Sequence, residues 1–181
     1  MTKIFRVAYN SAVNTIKERL DTIDETDIEK TIDAILNGAT IFVYGAGRSG
    51  VIGKAFAMRL VQIGQRAYFI GESVTPIVTE NDVTIILSNK GESFTSIQVG
   101  NIVRRVGSKL VVITANPNSK LTHIATIKIV LPSLPYDVNL APLGTIFEES
   151  ALILLDSIIA ELMNKLKENE ESMRKRHAIM V

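Results

Sequence analysis

Apolar side chains recur at helical spacing across residues 4–36, at Val7, Ala12, Val13, Ile16 and Leu20 and again at Ile28, Ile32, Ile35 and Leu36. The spacing predicts two helices divided near Asp24, the second ended by Asn37-Gly38. The pattern then changes from an apolar stripe to short, β-branched runs that are apolar on both faces. Thr40–Tyr44 predicts a buried strand stopped by Gly45. A helix over about 49–64 follows, then strands at 67–70 and 83–87, a helix at 94–106, and strands at 109–114 and 126–131. Strands apolar on both faces suit a parallel sheet covered by helices on both sides. Their alternation with helices predicts a doubly wound α/β domain.

After the last strand comes a loop of about fifteen residues containing Pro132, Pro135 and Pro142. Loops of that length without regular structure usually carry function. A helix is predicted from Ile146 to Leu166, apolar at Phe147, Ala151, Leu154, Leu155, Ile158, Ile159, Leu162 and Met163. Such a helix needs cover on several sides, in the core or at a subunit interface. Glu168 to Arg176 is highly charged and predicts a solvated helix or tail. The expected organisation is one domain over 1–181, with 1–36 packed on it and 168–181 as a terminal helix or tail.

Composition narrows the chemistry. The 181 residues hold 20 Lys and Arg against 19 Asp and Glu, a formal net charge of +1. No surplus points to nucleic acid or an acidic membrane surface, so an anion site must be local. The absence of cysteine excludes disulfides, thiolate metal sites and cysteine nucleophiles, and two histidines, His123 and His177, are too few for a histidine cluster. No metal site and no cofactor are expected. Met1–Arg6 leads into no uninterrupted apolar core, and charge interrupts every apolar segment before the roughly 18 residues of a membrane span. A cytoplasmic protein is expected.

Two strand-to-helix loops hold the candidate chemistry. Gly45-Ala46-Gly47-Arg48-Ser49-Gly50 lets backbone N–H groups approach an anion at a helix start. The same spacing meets the dinucleotide fingerprint, with Glu72 about twenty residues on as a ribose-binding acid. Arg48 inside the loop favours a phosphorylated sugar; a tight turn without ligand is the third reading. The second loop, Ser88-Asn89-Lys90-Gly91-Glu92-Ser93, offers hydroxyls at both ends, a glycine and a cation. It reads as a second anion cradle or as an ordinary helix start capped by Ser93. Because ligands of doubly wound sheets sit beyond the carboxyl ends of the strands, the two loops can converge on one pocket.

The segments Gly45–Gly50, Phe56–Leu60, Gly71-Glu72, Thr75-Pro76, Pro142–Glu148 and Arg176-His177 together resemble the sugar isomerase (SIS) family, and within it the 6-phospho-3-hexuloisomerases. The resemblance runs from about residue 40 to the end. It implies a flavodoxin-like, five-stranded parallel sheet between helices, usually assembled as a homotetramer with sites near subunit boundaries. It implies interconversion of D-arabino-hex-3-ulose 6-phosphate and fructose 6-phosphate in ribulose monophosphate metabolism, with a small sugar phosphate as ligand. By the same matching, Gly47, Arg48, Ser49 and the 88–93 loop contact substrate and Glu148 accepts the proton. One departure stands out: the family's second loop has glycine and serine where this chain has Asn89 and Lys90.

Moving a ketone from C3 to C2 means taking a proton from C2 and returning one to C3 through an enediol, which one carboxylate can do. Residues alone leave Glu148 two readings. Thr145-Ile146-Phe147-Glu148 is also a capping-box pattern, in which Glu148 would reach back to the Thr145 N–H. Adjacent Glu149 is the alternative base. His177, after Arg174-Lys175-Arg176, reads as a solvated tail histidine; the resemblance implies that it enters a site, its own or a neighbouring subunit's, as a proton carrier. His123 reads as structural and Arg59 as an interface or ion-pair residue. Alternative functions are isomerisation of a pentose or heptose phosphate, a non-catalytic sugar-phosphate sensor, and a nucleotide-dependent oxidoreductase.

Overall fold

The computed structural model describes residues 3–177. Two helices open the chain, α1 (Lys3–Leu20) and α2 (Glu25–Asn37). Asp24 divides them, as the sequence predicts: its carboxylate accepts from the Thr26 N–H at 2.9 Å and caps α2. There follow β1 (Ile41–Gly45), α3 (Gly47–Gln62), β2 (Ala67–Phe69), β3 (Val83–Leu87), α4 (Phe94–Val106), β4 (Lys109–Thr114), α5 (Lys120–Ile124) and β5 (Ile127–Val130). The chain closes with α6 (Thr145–Leu166) and α7 (Glu170–Lys175).

All strand pairs are parallel, in the order β2-β1-β3-β4-β5. The side chains divide cleanly between the two faces. Ile41, Val43, Ile85, Val111, Ile113 and Ile129 point to α2, α3 and α6, and Ile86, Leu110 and Val112 point to α4 and α5. Helices on both faces explain why the strands carry no polar side. α6 packs against α1, α2 and α3, burying Phe147, Ala151, Leu155, Ile158 and Leu162, so its apolar surface serves the core.

Two expectations need correction. The predicted helix start at 49 lies at Gly47, because the glycine loop itself is the first turn: the Gly50 N–H bonds to Ala46 O at 3.4 Å. That turn packs so tightly on the strand end that a Cβ on Gly50 would lie 2.4 Å from Gly45 O. In α1, Ile16 is buried but Val7 and Val13 are each 54% exposed, joining Ile4, Phe5 and Tyr9 on an open apolar face.

The order 2-1-3 sets the position of the site. β2 turns outward from β1 while β3 returns on its other side, and Gly45 pairs with Leu87 at their carboxyl ends. The loops after β1 and β3 therefore lie side by side at the switch point of the sheet, where open α/β sheets form a crevice.

Candidate functional site

The crevice is a cleft of about 650 Å³ bordered by Ser49, by Ser88, Asn89, Lys90, Glu92 and Ser93 of the second loop, and by Glu148 at the start of α6. Ala46, Leu87, Ser96, Tyr136, Leu143 and Gly144 complete its lining. Of the residues singled out in the sequence, Gly47, Arg48 and Gly91 lie off this lining, and His177 lies elsewhere.

Glu148 is 7% exposed. Its Oε2 accepts from Arg48 Nε at 2.9 Å, and Ser49 Oγ stands 3.5 Å from Oε1. A buried carboxylate requires such partners, and its place in the first turn of α6 adds the favourable end of the helix dipole. The capping-box reading does not hold. Gly144, at φ 88°, is the N-cap, and the Thr145 hydroxyl donates to Pro142 O at 2.6 Å. This moves Glu148 one place further into the helix, where its N–H makes the first helical bond to Gly144 O at 3.1 Å and its carboxylate turns to the cleft. A Cβ at Gly144 would lie 2.9 Å from Asn89 Nδ2 and 3.5 Å from Glu148 Oε1, so the Asn89 amide and the Glu148 carboxylate both stand beside this glycine, whose positive φ disfavours any other residue.

The second loop is braced from below. Asn89 O accepts from Ala115 N at 2.9 Å and Thr114 Oγ1 at 3.0 Å. Gly91 shapes the loop: it takes φ 66°, donates its N–H to Ser88 O at 3.1 Å, and a Cβ there would fall 2.1 Å from Ser119 Oγ. Glu92 is held by Lys120, from its N–H at 2.9 Å and its Nζ at 3.5 Å. Ser93 occupies the N-cap position of α4, but its hydroxyl meets Thr95 Oγ1 at 3.2 Å and does not cap the backbone. Lys90 is exposed at the rim.

Glu72, the acid of the dinucleotide reading, pairs with Lys54 Nζ at 2.6 Å. His177 lies at the opposite end of α3, beside Arg59, Gln62, Met173 and Arg174. The 16 residues of α3 separate the two places by roughly 22 Å. Within one chain, therefore, His177 does not meet Glu148. The α7 segment is fastened there by Arg176, which reaches Gln62 O at 3.0 Å and Glu168 Oε1 at 2.7 Å. That pairing holds the Glu168 carboxyl below the ordinary glutamate range, with Ser172 assisting, and pushes Arg176 up. Arg59 turns to Gln62 Oε1 at 2.9 Å.

A larger hollow of about 770 Å³ lies between α1, α2 and α6. It combines apolar Leu20, Ile28 and Ile32 with acidic Asp21, Glu25, Glu29, Asp33 and Glu161 against the single cation Lys165, a surplus of negative charge that does not suit an anion. No group of three or more His, Cys, Asp or Glu among the described residues is placed to hold a metal ion. No helix among them is long and apolar enough to cross a membrane.

Ser96 and Tyr136 also line the cleft, though the sequence does not single them out. The proline-rich loop is expected to carry function, but nothing in its composition selects Tyr136, which packs with Ile16, Ala141 and Ile146 between α1 and the cleft.

A parallel five-stranded sheet with paired loops at its switch point is an architecture that forms a ligand crevice at its strand ends. The SIS domain family matches residues 35–176, and the chain belongs to that family. A 3-hexulose-6-phosphate isomerase of Methanocaldococcus jannaschii is 35% identical over 153 residues, covering 83% of this chain and 82% of that protein. The 3-hexulose-6-phosphate isomerase of Bacillus subtilis is 34% identical over 162 residues, covering 86% and 88%. A Methanococcus jannaschii crystal structure from which a function of 3-hexulose-6-phosphate isomerase was inferred superposes with a TM-score of 0.88, at 33% identity, over 96% of this chain and 98% of that one.

Proposed function

We propose that this chain is a sugar-phosphate isomerase that interconverts D-arabino-hex-3-ulose 6-phosphate and D-fructose 6-phosphate through an enediol. The observation that carries the reading is Glu148: a buried carboxylate in the first turn of α6, on the wall of a cleft whose other wall is the start of α4. The relatives named 3-hexulose-6-phosphate isomerase support the choice of sugar.

In this mechanism the phosphate lies over the second loop and the start of α4, where unpaired helix N–H groups and Lys90 favour an anion. The sugar carbons then face Glu148. Arg48 holds one carboxylate oxygen, while the loose 3.5 Å approach of Ser49 leaves the other oxygen available to a proton. Glu148 takes the C2 proton of the 3-ulose and returns it to C3; the oxygens exchange a proton in the same step. Arg48, with a side chain 60% exposed, can also turn to the substrate. Gly47 and Gly91 shape the loops, and Ser49, Ser88, Asn89, Glu92 and Ser93 border the bound sugar phosphate.

His177 joins this chemistry only when a second copy delivers it to the cleft. The open face of α1, with Ile4, Phe5, Val7, Tyr9 and Val13, supports assembly into an oligomer such as a tetramer. The test of substrate is a parallel assay with fructose 6-phosphate, ribulose 5-phosphate and arabinose 5-phosphate. Turnover of the first is expected, and turnover of another without it overturns the choice.

A further inference from the structure

Among the described residues, Arg19 Nε and Nη1, Thr84 Oγ1 and Ser96 Oγ are buried without a hydrogen-bond partner. Their surroundings differ. Thr84 lies in the middle of β3, and Arg19 lies on α1 near Tyr136, off the cleft lining. Ser96 is 0% exposed and lies on the wall of the cleft.

A serine within a helix ordinarily returns its hydroxyl to the carbonyl four residues back. Ser150 does so to Ile146 O at 2.6 Å, and Ser157 to Ile153 O at 2.8 Å. Four residues before Ser96 stands Glu92, outside a helix that begins at Phe94, so the fold denies Ser96 this partner. The neighbouring hydroxyls of Ser93 and Thr95 are engaged with each other. The first backbone bond of α4 runs from Ile97 N to Ser93 O at 2.9 Å. The N–H groups of Phe94, Thr95 and Ser96 therefore precede the helical ladder of a 13-residue helix. Ser96 thus combines an orphan backbone donor with an orphan side-chain donor at one point of the cleft. Burying a hydroxyl unpaired is unfavourable, and an alanine would avoid that cost.

We propose that Ser96 is a ligand of the substrate's phosphate group: its Oγ–H donates to a phosphate oxygen seated at the start of α4 and so helps the site discriminate phosphorylated from free sugar. The proposal rests on the reading that this cleft takes a sugar phosphate. A neutral donor facing a phosphate oxygen is worth roughly tenfold to hundredfold in affinity.

The test compares the full chain with its Ser96→Ala variant by calorimetric titration of inorganic phosphate and of fructose 6-phosphate, together with steady-state kinetics and thermal melts. Both dissociation constants should rise by a similar factor of at least about tenfold, KM should rise with kcat nearly unchanged, and the unliganded variant should melt no lower than the parent. Undiminished phosphate affinity in the variant overturns the proposal, as does a lowered melting temperature with unchanged affinity, or a parent protein that binds no phosphate. A parent that binds phosphate in a Ser96-dependent way yet turns over no hexulose phosphate leaves Ser96 standing and refutes the isomerase reading alone.

Discussion

Replacing Glu148 with glutamine separates chemistry from architecture. The amide matches the carboxylate in shape, keeps an oxygen for Arg48 Nε, now 2.9 Å from Oε2, and presents an NH₂ that Ser49 Oγ, 3.5 Å from Oε1, can accept. What is lost is basicity. Proton transfer by a positioned carboxylate contributes roughly 10²- to 10⁴-fold, so kcat should fall by that factor, or about 3–5 kcal/mol in the barrier. The stability change is much smaller. The ion pair is half open to water on the Arg48 side, whose side chain is 60% exposed, and the lost attraction is offset by the relief of burying one charge. A net change within about 1 kcal/mol is expected, a shift of roughly 2–4 °C in Tm. The assay is kcat and KM for fructose 6-phosphate beside a thermal melt, with Glu149→Gln as control, since Glu149 is only half-buried and lies off the cleft lining. A Glu148→Gln enzyme retaining kcat within tenfold, or a larger loss in Glu149→Gln, would refute the assignment.

If the site is shared between copies, mixing Glu148→Gln with His177→Asn subunits should restore part of the activity that each lacks alone; no recovery after subunit exchange argues against sharing. Gly91→Ala forces an L-residue to φ 66° and drives a methyl into Ser119 Oγ, 2.1 Å from the Cβ position. It should cost at least about 1–3 kcal/mol in denaturant unfolding, and a neutral result would contradict the packing described. The acid limit of stability should depend on Glu168. Arg176 and then Ser172 lower its folded-state pKa, so the folded state binds fewer protons than the unfolded one. Its contribution is complete above the ordinary glutamate pKa of about 4.3 and is lost as pH falls through the lower folded value. Arg176→Met should flatten the dependence of unfolding free energy on pH in that window; an unchanged slope would contradict the pairing.

Much of this arrangement is legible in the residues. β1, β3 and β4 declare themselves because Ile41–Tyr44, Val83–Leu87 and Leu110–Ile113 are apolar apart from Thr84, and their burial on both faces follows. The two loops are marked by glycine, hydroxyl and cationic residues, and the 2-1-3 strand order then brings them together. Less legible is whatever depends on one backbone angle. The Thr145–Glu148 spacing fits a capping box, yet the left-handed Gly144 takes the N-cap, and that single shift sends the Glu148 carboxylate to Arg48. Ser96 carries no signal in the sequence, since a serine in a helix's first turn is ordinary; only its burial without a partner distinguishes it. Nor does spacing reveal that His177 stands at the far end of α3. Distance between sites is a property of the packed helix, whose length is fixed by where Gly47 and Gln62 end it.

The most direct measurement is proton exchange on fructose 6-phosphate incubated with the enzyme in D₂O and followed by NMR. Enediol formation between C2 and C3 predicts that deuterium enters at C3, at a rate that collapses in Glu148→Gln. Deuterium entering at C1 instead, or no incorporation while phosphate is demonstrably bound, would contradict the account.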